Sequence, residues 1–134
     1  MSKLRFGGCL CGAVRYQTTG EALRVVNCHC SMCRKHSGAA YLTYVAYATD
    51  RVTVLQGNIV KYISSVDAQR SHCHVCGSPL EFKFVHEPDL IWLTLGSFDE
   101  PGCFVPAENW YVADKIDWID LNEAQDQWPG APGA

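Results

Sequence analysis

Cys28-His29-Cys30-Ser31-Met32-Cys33-Arg34-Lys35 places three cysteines within six residues of a 134-residue chain. Thiols two or three residues apart make poor disulfides, because the ring they close is tight and strained. The same spacing suits a tetrahedral ion, since a short turn aims its sulfurs at one point. Two related groups flank this one. Cys9 and Cys11 form a C-x-C followed by Gly12, and Cys73 and Cys76 form a C-x-x-C followed by Gly77. Seven of the eight cysteines therefore read as metal ligands, and all-sulfur tetrahedral sites favour zinc. Cys103 stands alone after Asp99-Glu100-Pro101-Gly102, in a loop, and reads as a small apolar side chain.

Working outward from the cysteines, the composition is that of one domain. Hydrophobic residues make up 48% of the chain, enough for a core without help from metal. The formal net charge of −3 argues against a nucleic-acid partner, which would require a basic surplus. No apolar run is long enough to cross a bilayer, so no membrane partner is expected. Met1-Ser2-Lys3-Leu4-Arg5-Phe6 meets Gly7 and Gly8 before any apolar stretch develops, unlike an export signal. A cytoplasmic location, where thiols stay reduced, is the expectation. Residues 1–125 are expected to form a single zinc-binding domain, and 126–134, rich in Pro and Gly, a loose tail.

The pattern between the cysteines predicts an all-β fold of short strands. Gly12–Thr18, Leu23–Val26, Ala40–Tyr47, Leu80–Phe84 and Leu90–Leu95 read as strands. Val52–Leu55 and Ile59–Ile63 flank Gln56-Gly57-Asn58 and read as a hairpin. Ser31–His36 predicts one short helical turn stopped by Gly38, and Tyr111–Trp118 another. Tyr41, Tyr44 and Tyr47 would fall on both faces of one strand, and Trp92, Trp110 and Trp118 read as core or rim.

Seven ligands divide into four and three. A structural zinc site is closed by four protein ligands, whereas a catalytic one keeps a position for water or substrate. Chain order does not say which motifs pair. Cys28, Cys30 and Cys33 are close enough to form a local tripod. The alternative is that Cys103, His29, His36, His72 or His74 closes the second set, leaving two structural sites and no chemistry. An open three-thiolate zinc carries a net −1 charge and suits a soft fourth ligand such as an exogenous thiol. It would lower that thiol's pKa and ready it for addition to an aldehyde. Arg34 and Lys35, directly after Cys33, are candidates to offset the charge or to receive a carboxylate of the thiol substrate.

Gly8-Cys9-Leu10-Cys11-Gly12, Cys28-His29-Cys30-Ser31-Met32-Cys33-Arg34-Lys35 and Cys73-His74-Val75-Cys76-Gly77-Ser78 together resemble the glutathione-dependent formaldehyde-activating (GFA) family. Gly96-Ser97-Phe98-Asp99-Glu100-Pro101 is similar to a further segment of that family, so the resemblance runs from about Phe6 to Trp118. It implies a β-tent fold of antiparallel sheets pinned by zinc. It also implies a structural zinc on Cys9, Cys11, Cys73 and Cys76, and a catalytic one on Cys28, Cys30 and Cys33. The implied activity is that of a carbon–sulfur lyase acting on a glutathione–aldehyde adduct such as S-hydroxymethylglutathione. Zinc, two ions per chain, is the implied cofactor, and glutathione the co-substrate. One departure lies at His72, where many members carry an aromatic residue.

His29, between two ligands on an extended segment, should point away from both sulfurs and pack behind them. His36 lies close enough to the tripod to serve as an acid or base.

Overall fold

Leu42-Thr43-Tyr44-Val45-Ala46-Tyr47-Ala48 forms a central strand whose alternating side chains feed two separate cores. The computed structural model describes residues 3–132. In chain order the strands are β1 (Leu4–Gly8), β2 (Arg15–Thr19), β3 (Arg24–Cys28), β4 (Leu42–Ala48), β5 (Val52–Gln56) and β6 (Ile59–Ser65). They continue as β7 (Ala68–Cys73), β8 (Pro79–Phe84), β9 (Leu90–Thr94), β10 (Glu108–Trp110) and β11 (Asp126–Gln127). One helix, α1 (Ser31–Ser37), joins β3 to β4, and four short 3-10 turns complete the path. The chain is mainly β, as its turn-punctuated pattern requires. Among the described residues, no helix is long and apolar enough to cross a membrane.

Strands β1, β2 and β5 make a small antiparallel sheet. The other eight form a large sheet in the order β11-β10-β3-β4-β9-β8-β7-β6. Period-2 alternation sorts its side chains to opposite faces. Val45, Tyr47, Ile91 and Leu93 pack on one face with Val14, Tyr16 and Phe98 from the small sheet and its surroundings. Val26, Tyr44, Ala46, Phe82, Trp92 and Trp110 pack on the other. Tyr44 and Tyr47 thus fall on opposite faces, as expected of one strand. A bulge between β7 and β8 leaves Leu80 without a cross-strand partner and resets the phase, so Leu80 joins the first core and Phe82 the second.

The two cysteine sets follow this division. Cys9, Cys73 and Cys76 belong to the first core, and Cys28, Cys30 and Cys33 to the second. The large sheet therefore stands between them.

The expected β5–β6 hairpin does not form. β5 pairs with β2 in the small sheet, while β6 pairs with β7 at the edge of the large one. Gln56-Gly57-Asn58 instead carries the chain from one sheet to the other. Gly57 adopts φ +88°, and a Cβ there would lie 2.2 Å from the Ala13 carbonyl oxygen. Turn composition marks a reversal but not the partner strand. Gly57→Ala is expected to lower stability by about 2 kcal/mol or more, measurable by urea unfolding, because both the backbone region and the close approach exclude a side chain.

The segment expected to be a loose tail is tied to the sheet over its described length. β11 runs parallel to β10, and Trp128 N–H donates to the Asn109 carbonyl at 2.9 Å. Tyr111 and Val112 N–H groups donate to the Gly130 and Trp128 carbonyls, and Ala131 packs against the second core. Backbone pairing with β10, invisible in a Pro/Gly-rich composition, holds it there. Residues 133 and 134 lie outside the described range.

Candidate metal centres and the adjoining cavity

Cys9 and Cys11 sit in the turn between β1 and β2, Cys73 ends β7, and Cys76 lies in the turn between β7 and β8. Gly12 and Gly77 follow at φ +81° and +77°, a region open to glycine, and close each turn back on the carbonyl of Cys9 or Cys73. The four sulfurs lie within 4.8 Å of one another. Cys9 Sγ is 3.6 Å from Cys11 Sγ, which is 3.9 Å from Cys73 Sγ. A tetrahedron with Zn–S bonds of about 2.3 Å has edges of about 3.8 Å, so the set fits zinc. Backbone N–H groups point at the sulfurs: Val14 at Cys9 (3.2 Å), Val75 and Cys76 at Cys73 (3.3 and 3.5 Å). The Ser78 hydroxyl, 3.1 Å from Cys76 Sγ, holds that thiol down at about 5. These are the supports a thiolate ligand needs.

Cys28 ends β3, Cys30 caps α1, and Cys33 lies in the first turn of that helix. Cys28 and Cys33 are buried and Cys30 half-buried. Cys28 Sγ is 3.5 Å from Cys30 Sγ and 3.0 Å from Cys33 Sγ. The Cys33 N–H donates to Cys30 Sγ at 3.3 Å. Three thiols this close cannot all ionise unaided. The Cys28 and Cys33 thiols stabilise charge on Cys30, bringing it down to about 2. The Cys30 and Cys33 hydrogen bonds, with burial, push Cys28 far up. A divalent cation relieves this crowding by letting all three ionise together, which is the donor chemistry of a zinc tripod.

Among the described residues, neither set includes a histidine or Cys103. Cys103 is exposed in the 3-10 turn Pro101–Cys103, its Sγ 3.7 Å from Glu100 Oε2. His29 is buried behind the tripod, with Nε2 3.1 Å from Asn109 Oδ1 and its ring 4.8 Å from that of Tyr41. Burial lowers its pKa and keeps it neutral. His36 is half-buried, its pKa lowered first by burial and then by the charge of Arg70. Cys103→Ser is expected to leave the metal content unchanged, measured by metal analysis of the purified protein.

The tripod opens into a cavity of about 320 Å³, lined by all three cysteines. Its other walls are largely aromatic: Tyr44, Phe82, Phe84, Trp92, Trp110 and Tyr111. Tyr111 holds φ +58°, the left-handed region, which a non-glycine side chain occupies at a cost of roughly 1–3 kcal/mol. Trp118, by contrast, is exposed and not part of this lining.

Arg34 and Lys35 do not line the cavity. Arg34 Nη1 donates to the backbone carbonyls of His29 and Asp114, so it ties α1 to the neighbouring loop, and Lys35 is exposed. The cation facing the sulfurs is Arg70, on β7. Arg70 is only 3% exposed, with Nη1 and Nη2 each 3.8 Å from Cys33 Sγ. Nη1 also donates to Tyr44 Oη at 3.0 Å, Nε donates to Ser64 Oγ at 3.2 Å, and the guanidinium lies 4.9 Å over the Phe82 ring. Burial raises the Tyr44 pKa well above its usual value, followed by the nearby Cys33, so the phenol stays protonated. No motif spacing marks Arg70. Its signal is a lone basic residue in a segment too polar to read as a buried strand.

Fold and site define a mainly β protein with two metal-fitting cysteine clusters on opposite faces of one sheet, one of them beside a cavity. The chain belongs to the glutathione-dependent formaldehyde-activating enzyme family, which matches residues 4–114. A relative from Schizosaccharomyces pombe, described as an uncharacterized lyase, is 29% identical over 127 residues, covering 87% of this chain and 91% of the relative. A crystal structure of a Rhodobacter sphaeroides protein superposes with a TM-score of 0.58 at 19% identity, covering 92% of this chain and 98% of the other. That likeness supports the fold.

Proposed function

We propose that the chain is a zinc-dependent carbon–sulfur lyase acting on adducts of a thiol and an aldehyde, with S-hydroxymethylglutathione as the reference substrate. Cys9, Cys11, Cys73 and Cys76 would hold a structural ion, and Cys28, Cys30 and Cys33 the ion at the reacting centre. The observation that carries this reading is the three-sulfur set lining a cavity with no fourth protein ligand among the described residues. Family membership and the lyase-named relative support it. A reducing compartment such as the cytoplasm suits seven ligand thiols.

In the cleavage direction the adduct loses its hydroxyl proton, the C–S bond breaks, and C=O forms. The electron pair and a proton end on sulfur, giving free thiol and aldehyde. Zinc bound by the tripod supplies a soft Lewis acid that favours the thiolate form of the substrate. Arg70 offsets the excess negative charge of the three cysteine thiolates. In the reverse, addition direction Tyr44, kept neutral by burial and accepting a hydrogen bond from Arg70, stands at the cavity wall as a proton donor for the aldehyde oxygen as it becomes the adduct hydroxyl. Arg34, fastened to backbone carbonyls, keeps α1 and its Cys33 in place.

Cobalt substitution tests the reading. Glutathione added to the cobalt-loaded protein is expected to intensify the thiolate-to-metal absorption, and the loaded protein to speed exchange between formaldehyde and its glutathione adduct. An unchanged spectrum together with unchanged exchange would leave a protein with two purely structural ions.

A further inference from the structure

The cavity is far larger than formaldehyde needs. An apolar cavity of about 150 Å³ already accommodates benzene, and this one measures about 320 Å³. Its walls beside the tripod are Phe82, Phe84, Trp92 and Trp110, with Phe82 and Phe84 edge-to-face at 4.7 Å and Trp92 and Trp110 at 5.1 Å. Such walls reward an apolar occupant and gain little from a single carbon.

The polar groups narrow the choice further. Trp92 is 3% exposed, and its indole N–H has no acceptor in the protein. That nitrogen is itself shielded from solvent, so Trp92 offers the cavity its apolar ring surface and no accessible donor. The cation in the lining is Arg70, already engaged by Tyr44, Ser64 and the Cys33 sulfur. The remaining charged groups in the lining, Asp67 and Asp114, are exposed carboxylates. A carboxylate entering there meets like charge and no available cation.

We propose that the cavity receives the aldehyde side of the adduct, and that the favoured aldehyde is neutral and carries an aromatic or branched aliphatic group. Resting on the lyase reading above, this assigns the pocket's occupant: an apolar body for the aromatic walls and no anionic group. The reaction balances as for formaldehyde. The hydroxyl-bearing carbon loses its bond to sulfur and becomes the aldehyde carbon, and the hydroxyl proton and the sulfur leave as thiol.

The test compares two inert thioethers, S-benzylglutathione and S-methylglutathione, binding to the zinc-loaded protein, followed by tryptophan fluorescence and calorimetry. The peptide part is common to both, so the difference reports the cavity alone. S-Benzylglutathione is expected to bind at least ~10-fold more tightly. Phe84→Ala should remove most of that advantage while leaving the affinity for S-methylglutathione within about two-fold. Phe84→Leu, which keeps apolar volume, should restore part of it and guards against a folding defect in the alanine variant. Equal affinity for the two thioethers, or an advantage untouched by Phe84→Ala, would overturn the assignment. Turnover separates this from the lyase reading. If the formaldehyde and benzaldehyde adducts both remain uncleaved while the benzyl preference holds, the lyase reading fails and the apolar pocket stands. If the formaldehyde adduct is cleaved with kcat/KM equal to or above that of the benzaldehyde adduct, the pocket assignment fails and the lyase reading stands.

Discussion

Arg70→Met is expected to cost the metal-loaded protein about 3–5 kcal/mol and to release the ion held by Cys28, Cys30 and Cys33. Three thiolates and one zinc leave a single negative charge, two of the three sulfurs are buried, and Arg70 is the buried cation against them. Methionine keeps much of the volume over Phe82 but leaves that charge unopposed. It also leaves Tyr44 and Ser64 without their guanidinium donor. Urea unfolding with metal analysis of the folded fraction measures both effects. Arg70→Lys should fall between the two, since one ammonium supplies charge without the fork that reaches Cys33, Tyr44 and Ser64 together. The control is the same Arg70→Met change in a chain whose three tripod cysteines are serine. If the cost there is as large, Arg70 serves the packing of β7 and not the sulfurs, because the coupling energy between the sites would be zero.

Arg70 also shows where sequence reading stops. Ala68-Gln69-Arg70-Ser71-His72-Cys73 is β7, yet its buried positions are Ala68 and Arg70 on one face and Ser71 and Cys73 on the other, not a run of large apolar residues. Hydrophobic alternation therefore gives no strand there, and a buried arginine becomes legible only through its register partner Phe82 and the sulfurs beyond. Arg34 and Lys35 follow Cys33 directly in the chain, but the helical path from Cys30 takes them out of the cavity lining. The cysteine motifs were legible because each converges within a few residues, so local geometry alone brings the sulfurs together. Strands β4 and β9 were legible from their apolar content. Their two-faced burial also explains why three tyrosines on and beside one strand do not share a surface. The pairing of β5 with β2 depends on Gly57 passing close to Ala13, a long-range contact that no short window contains.

Cys11→Ser is expected to empty the four-sulfur site and loosen the small sheet from the large one. Cys11 is exposed, so the substitution removes a ligand with little loss of packing. The ligands belong to different sheets: Cys9 and Cys11 lie between β1 and β2, Cys73 ends β7, and Cys76 lies between β7 and β8. An ion there joins segments more than sixty residues apart in sequence, a closure that organises a chain far more than a local one does. Other links across this junction remain. Tyr16 Oη is 2.7 Å from Ser97 Oγ, Arg15 pairs with Asp99, and Leu10 N–H donates to Ser78 Oγ at 3.0 Å. The small sheet should therefore stay docked but open far more often. Hydrogen exchange of the β1 and β2 amides is expected to accelerate by roughly 100-fold, with β4 and β9 much less affected. Cys30→Ser should do the reverse, losing the other ion while β1 and β2 exchange as before. Its site is closed by residues of one short segment on the far face of the large sheet. Equal acceleration everywhere in both variants would mean that the two ions stabilise one cooperative unit, and the division of labour between a pinning site and a reacting site would be lost.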